Sequence, residues 1–228
     1  MNKTLVLFAI ITLALLWYGL RQALYVAPTE ETMGDIQRIF YYHVPSAFVA
    51  FACFFANLAA SLAYLKNRRP GADAFALATA EVGVVFCTVV LVTGPLWAKP
   101  VWGIWWTWDA RLTSTLLLWL IYVSYLLLRQ FSSGSQTPVL AAVLAIFGSV
   151  DVVFVYMSIR WFRTQHPQPV LGGGEGSGIH PAMVHALLAN LAAFVAFGAV
   201  VIWLRYRIER GRQQLEELHA LAAEKGNF

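Results

Sequence analysis

Charged residues are scarce in this chain of 228 residues, in which Asp, Glu, Lys and Arg together make up only 12%. A soluble domain carries about 25%. Hydrophobic residues reach 59%, and the mean hydropathy is +0.63. This composition excludes an ordinary soluble domain and indicates an integral membrane protein.

Several motifs of energy conversion and electron transfer are also absent. The sequence has no Gly-x-x-x-x-Gly-Lys-Ser/Thr, so it offers no phosphate-binding loop for ATP hydrolysis. It has no Cys-x-x-Cys-His, which excludes a c-type cytochrome. Its two cysteines, Cys53 and Cys87, lie alone in separate apolar runs. We therefore interpret them as packing residues and not as a redox pair.

Six apolar runs are long enough to cross about 30 Å of hydrocarbon as helices. Lys3 precedes the first run, as in a signal peptide, but no small-residue cleavage site follows, so we expect a retained span. The predicted fold is an all-α integral membrane protein with six transmembrane helices in one bundle. The runs cover residues 5–20, 47–65, 75–97, 113–128, 139–159 and 183–204.

Basic residues predict the orientation of these spans. With the N-terminus inside, the inner segments hold ten of the 16 Lys and Arg residues and the outer segments hold six. Cytoplasmic loops are the ones enriched in Lys and Arg, so both termini are expected on the cytoplasmic side of the membrane. The net charge of +4 then reflects topology, and we expect no nucleic-acid partner. We predict a transmembrane domain over 1–204 and a basic cytoplasmic tail over 205–228, with an amphipathic helix over 205–222.

Four of the nine tryptophans lie within residues 102–114, together with Asp109 and Arg111. An aromatic belt at the headgroups explains one or two of them. A cluster with a spaced acid and base is more typical of an apolar platform for a large planar ligand, with the charged pair at its edge. We expect Thr113 or Ser114 to cap the helix that follows.

The predicted topology places this platform and four of the five histidines on the outer face. The outer loops are 21–46, 98–112 and 160–182, and His43 and His166 lie beside aromatic residues in the first and third. A planar macrocycle with a central metal needs apolar faces and axial imidazoles, so haem is the ligand that this arrangement best suits. Zinc is the rival, although no Cys/His set has zinc spacing.

Other titratable residues leave alternatives open. His180 and His185 are alternatives to His166 as the second ligand, and His219 is expected to be solvated in the tail. Glu81 and Asp151 lie within spans, where acids are costly, and the sequence assigns neither a role.

The tryptophan stretch resembles the WWD motif of the haem-handling proteins, and the whole chain resembles the CcmC family among them. The matching residues are Trp102-Gly103-x-Trp105-Trp106-x-Trp108-Asp109-x-Arg111-Leu112-Thr113, with Tyr42-His43-Val44-Pro45 and Trp161-Phe162-Arg163-Thr164-Gln165-His166 as the two histidine segments. The resemblance implies an outer-face site for haem b and delivery to the haem chaperone CcmE, in a complex with CcmA, CcmB and CcmD. It implies His43 and His166 as iron ligands, supported by Trp102, Trp105, Trp106, Trp108, Asp109, Arg111, Trp161 and Arg163.

Two other functions remain open from the sequence. A haem lyase of the CcsA or CcmF type attaches haem to an apocytochrome, but those proteins generally have more spans and more intramembrane histidines than this chain. A small-molecule channel predicts a polar path through the spans, for which only Glu81 and Asp151 give any indication. We therefore expect a haem-binding and transfer protein more than a catalytic enzyme.

Overall fold

The computed structural model describes residues 3–132, 134–167 and 178–225, and nearly all of them are helical. Among these residues the only β pairing is one isolated bridge, between Glu30 and Gly34. A π-helical turn over Gln22–Val26 extends the first helix, and a 3-10 helix over Asp35–Ile39 leads into the second. The six long helices are α1 (Lys3–Arg21), α2 (Phe40–Asn67), α3 (Pro70–Trp102), α4 (Ala110–Phe131), α5 (Thr137–Trp161) and α6 (Pro181–Lys225).

All six helices are long and apolar enough to cross a membrane. The predicted fold class, an all-α protein with six spans, is therefore confirmed, and the chain is a multi-pass membrane protein.

Two helix ends differ clearly from the sequence prediction. Helix α2 begins at Phe40, directly after the 3-10 helix, and contains Pro45. The sequence predicts a loop as far as residue 46, since proline is unfavourable inside a helix. Helix α3 continues through Pro95 and Pro100 as far as Trp102. Proline therefore does not end either helix here. His43 and Trp102 are consequently helix residues and not loop residues.

Close contacts between small and aromatic residues hold the centre of the bundle together. The Phe54 and Tyr122 rings stack with centroids 3.9 Å apart. A Cβ added to Gly83 would lie 2.6 Å from the Phe54 ring, and one added to Gly148 would lie 2.9 Å from Ile121. Glycine at these positions lets the helices approach closely enough to pack in a lipid environment, where van der Waals contact is a main source of association.

Ion pairs tie the predicted inner ends of α3, α4 and α6 together. Arg129 of α4 forms a bidentate salt bridge with the Asp73 carboxylate of α3, in which Nη2 lies 2.8 Å from Oδ2. Gln213 of α6 donates to the same carboxylate at 3.1 Å. Arg205 of α6 pairs with Glu81 of α3 through two contacts of 2.5 and 2.6 Å. Glu81 thus has a structural partner within the bundle.

Helix α6 continues without a break well past its apolar segment. Its 45 residues correspond to about 67 Å at 1.5 Å per residue. The helix predicted over 205–222 is confirmed, and Leu215, Leu218 and Leu221 on it are exposed.

Candidate functional site

An apolar cleft opens between α2, α3, α4 and α5 near the ends that carry the tryptophan stretch. It contains about 1000 Å³ of space, including the solvent at its mouth. Along α3 its lining extends from Trp102 down to Cys87, a rise of about 22 Å at 1.5 Å per residue. The cleft therefore reaches deep into the bundle from the end that carries the tryptophan stretch.

The loop over residues 103–109 forms the rim of the cleft. Gly103 ends α3 in the left-handed region, with φ 76°, and its N–H donates to Lys99 O at 3.0 Å. A residue without Cβ adopts this conformation readily, which makes glycine the usual residue after a helix C-terminus. The turn directs Trp105 and Trp106 over the cleft, where both are lining residues.

Asp109 connects three parts of the site. Its Oδ1 accepts from Leu112 N at 2.9 Å, so Asp109 is the N-cap of α4. Its Oδ2 accepts from Thr107 Oγ1 and from Gln165 N, both at 3.1 Å. The expectation that Thr113 or Ser114 caps α4 is wrong, because the helix begins earlier, at Ala110. One carboxylate thus fixes the tryptophan loop, the start of α4 and the segment before His166.

His43 lies in the first turns of α2 and is buried, with 8% of its surface exposed. Its Nδ1 is 2.8 Å from Thr93 Oγ1 of α3. Its ring also meets the Trp97 ring edge-on, with centroids 5.9 Å apart. The imidazole is therefore held in one orientation at the wall of the cleft.

His166 also lines the cleft, on the segment after α5. Its Nδ1 is 2.9 Å from Pro167 O, and a carbonyl can only accept, so Nδ1 carries the proton. Burial, followed by the positive charge of Arg111, lowers the pKa of His166 to about 4. The imidazole is therefore neutral at neutral pH, with the Nε2 lone pair free to coordinate a metal.

The structure brings together most of the predicted site residues. Arg111 lines the cleft and its Nη1 donates to Val155 O at 3.0 Å, which fixes the guanidinium at the wall. Asp109 lies beneath the rim. The other predicted residues that line the cleft are His43, His166, Trp102, Trp105 and Trp106.

Besides Asp109, three predicted site residues are not among the residues that line the cleft in the described part of the chain. Trp108 is 76% exposed, meets Trp106 edge-on, and faces a shallow groove beside Leu116 on the outside of α3 and α4. Trp161 packs against Phe154, and Arg163 is exposed. The loop path between α3 and α4 directs Trp108 outward, a detail that residue type alone does not reveal.

Sequence reasoning missed Thr93 and Trp97, which contact His43, because both lie in a run that we assigned only to a membrane span. Their spacing of four residues on one helix face, with Gly94 between them, is the signal that marks this contact surface. A Cβ added to Gly94 would lie 3.5 Å from His43 Cε1, so α3 comes close to the ring here.

The remaining histidines have other surroundings. His180 Nδ1 accepts from Ala182 N at 3.2 Å at the start of α6, and His185 Nε2 is 2.7 Å from Tyr18 Oη on the outer surface of α1 and α6. His219 is exposed on the extension of α6. None of these three is among the lining residues of the cleft in the described structure.

Comparison with known proteins gives consistent matches along the chain. The sequence model of the CcmC family, described as heme exporter protein C, matches residues 1–220. Heme exporter protein C of Bradyrhizobium diazoefficiens is 34% identical over 219 residues, covering 95% of this chain and 82% of that protein. This chain belongs to the CcmC family. Heme exporter protein C of Escherichia coli K12 is 32% identical over 203 residues, covering 84% of this chain and 80% of that protein.

A plant relative extends the similarity to organelles. A ccmC-like mitochondrial protein of Marchantia polymorpha, whose name refers to cytochrome c biosynthesis, is 31% identical over 204 residues. These residues cover 88% of this chain and 87% of that protein.

The cleft of this CcmC-family chain fits a haem by three structural criteria. Its lining is largely apolar and includes four tryptophans, Trp97 among them. Two imidazoles line it, and each uses Nδ1 for a hydrogen bond, which leaves Nε2 for an axial position. Arg111, a cation that could attract a propionate, also lines it.

Asp109→Ala is expected to loosen the site and destabilise the protein. Loss of the N-cap is expected to lower the free energy of unfolding by about 0.5–2 kcal/mol. Loss of Oδ2 removes the hydrogen bond from Gln165 N, which fixes the segment that carries His166. Thermal unfolding in detergent and haem titration measure the two effects separately. Asp109→Asn is the matched control, because it keeps an acceptor for Leu112 N and should retain most of the stability while still weakening haem binding. Haem affinity equal to wild type in Asp109→Ala would contradict this role.

Proposed function

We propose that this protein binds haem b as its cargo in the cleft, at the outer face of the bacterial inner membrane. From there it passes haem to the haem chaperone CcmE during c-type cytochrome biogenesis. The observation that carries the proposal is the convergence of His43, His166 and the tryptophans on one apolar cleft. Membership of the CcmC family supports a role in haem handling for cytochrome c biogenesis.

The residues of this chain would act by holding and orienting the cargo. His43 and His166 would each offer the imidazole Nε2 as a ligand to the iron. Trp102, Trp105 and Trp106 cover the apolar faces and exclude water. Arg111 is the cation in the lining and would attract the propionates. Release to an acceptor would then require both imidazoles to leave the iron.

We also propose assembly with CcmA, CcmB and CcmD as an ABC-type exporter complex, by the relation to proteins named heme exporter protein C. The chain has no phosphate-binding loop of its own, so an ATPase must be another subunit. Trp108, Trp161 and Arg163 lie exposed near the site and are proposed to contact haem or the chaperone when the complex assembles. Residues 1–204 would form the transmembrane domain and 205–228 the cytoplasmic tail.

Delivery is tested by co-expressing this protein with a tagged CcmE and measuring the haem that copurifies with CcmE. We expect haem on CcmE with the wild-type protein and little with a His43→Ala/His166→Ala double variant that accumulates normally in the membrane. Equal haem on CcmE with both proteins would contradict the proposal.

The proposed orientation predicts which loops react with an impermeant thiol reagent. In a background with Cys53 and Cys87 replaced by alanine, Glu31→Cys should be labelled in intact spheroplasts and Gly134→Cys should be labelled only after lysis. Both positions are exposed in the structure, so access to the aqueous phase and not burial decides the result. Labelling of Gly134→Cys without labelling of Glu31→Cys would invert the topology.

A further inference from the structure

The hydrogen bond from His43 continues into the backbone of α3. Thr93 Oγ1, 2.8 Å from His43 Nδ1, also lies 2.6 Å from Val89 O. A carbonyl oxygen only accepts, so the Thr93 hydroxyl proton points to Val89 O. The hydroxyl oxygen must then accept from His43, which places the imidazole proton on Nδ1.

This arrangement determines which nitrogen of His43 is free. With the proton on Nδ1, the lone pair is on Nε2, and Nε2 has no hydrogen-bond partner among the described residues. Trp97 and Gly94 restrict the ring on its other sides, with the Trp97 centroid 5.9 Å away. One turn of α3 therefore sets both the tautomer and the orientation of the imidazole.

We propose that Thr93 is a positioning residue that holds His43 in the Nδ1–H tautomer and so presents Nε2 to the haem iron. This inference rests on the proposed function. It adds the residue that orients His43, one of the two proposed iron ligands. An N–H donated to an acceptor also raises the basicity of the imidazole as a ligand. The second ligand is held differently, because His166 donates to the backbone oxygen of Pro167, which no side-chain substitution removes.

The tautomer is measured first without haem. Selective ¹⁵N-histidine labelling and solid-state NMR distinguish the protonated from the unprotonated ring nitrogen, and subtraction of a His43→Gln spectrum identifies the His43 signals. We expect Nδ1–H in the wild type and in Thr93→Ser, which keeps the hydroxyl. In Thr93→Val, which keeps the shape and removes the hydroxyl, the Nε2–H form should appear.

Haem binding provides the second readout. Thr93→Val should lose about 10-fold to 100-fold in haem affinity, as when outer-shell partners of metal ligands are removed. The reduction potential of the haem bound to Thr93→Val should be higher than in the wild type, because a less basic imidazole stabilises ferric iron less. Thr93→Ser should restore both values towards wild type.

Thr88→Val is the matched control on the same helix. Thr88 also donates to the carbonyl four residues earlier, Val84 O, and accepts from a ring N–H, that of Trp119, at 2.8 Å. It is not a lining residue of the cleft, so its loss should leave the tautomer and the potential unchanged. A Thr93→Val protein that matches Thr88→Val in tautomer, affinity and potential would overturn the proposal. Because the NMR experiment needs no haem, this outcome is distinct from failure of haem binding itself.

Discussion

Replacement of His43 or His166 by alanine is expected to reduce haem affinity by about 100-fold or more. Loss of an outer-shell partner alone costs about 10-fold to 100-fold, and loss of a ligand should exceed that. Each single variant leaves the iron with one protein ligand, so its absorption and EPR spectra should change from six-coordinate low-spin to five-coordinate or water-ligated high-spin. Added imidazole should refill the position that the variant vacates and restore part of the low-spin spectrum.

His180→Ala and His185→Ala are the controls for this experiment. His180 caps the start of α6, and His185 pairs with Tyr18 on the outer surface of the bundle. Both variants should keep the wild-type spectrum. An unchanged spectrum in His166→Ala together with a changed one in His180→Ala or His185→Ala would move the second ligand to α6.

Replacement of Trp102, Trp105 and Trp106 together by alanine should lower haem affinity at least tenfold without preventing membrane insertion. Aromatic contacts contribute about 0.5–1.5 kcal/mol per pair beyond the burial of their area, and 1.4 kcal/mol corresponds to a factor of ten. All three side chains line the cleft. Equilibrium titration with haem in detergent measures the loss, and the amount of protein in the membrane reports insertion.

Trp108→Ala is the matched control for the tryptophan experiment. Trp108 belongs to the same motif but lies on the outer groove, 76% exposed. It should bind haem almost as the wild type does, even if delivery to CcmE declines. If Trp108→Ala lost as much haem affinity as the triple variant, the assignment of the cleft-facing tryptophans would be wrong.

The sequence was sufficient for the six spans because each is an apolar run of membrane-spanning length, and hydropathy follows directly from composition. It was less informative about helix ends. Pro45 and Pro100 were predicted to lie in loops, but the helices continue through both. Whether a helix ends at a proline depends on its structural context, which a single sequence does not display.

At the site, the sequence indicated which residue types are present but not which way their side chains point or what they contact. Asp109 and Arg111 were predicted at the edge of the platform, yet the finding that Asp109 links α4 to the segment before His166 depends on a contact between residues 56 positions apart. Thr93 is 50 positions from His43 and lies within an apolar run, where the sequence alone gives no reason to single out a hydroxyl group. Such long-range pairs are properties of the packed bundle.

The central claim, that the cleft holds haem between His43 and His166, is tested most directly by the low-temperature EPR spectrum of the purified, haem-loaded protein. We predict a low-spin ferric signal typical of two imidazole ligands in the wild type, and its absence in the His43→Ala/His166→Ala double variant loaded under the same conditions. A high-spin signal in the wild type, or a low-spin signal that persists in the double variant, would contradict the claim.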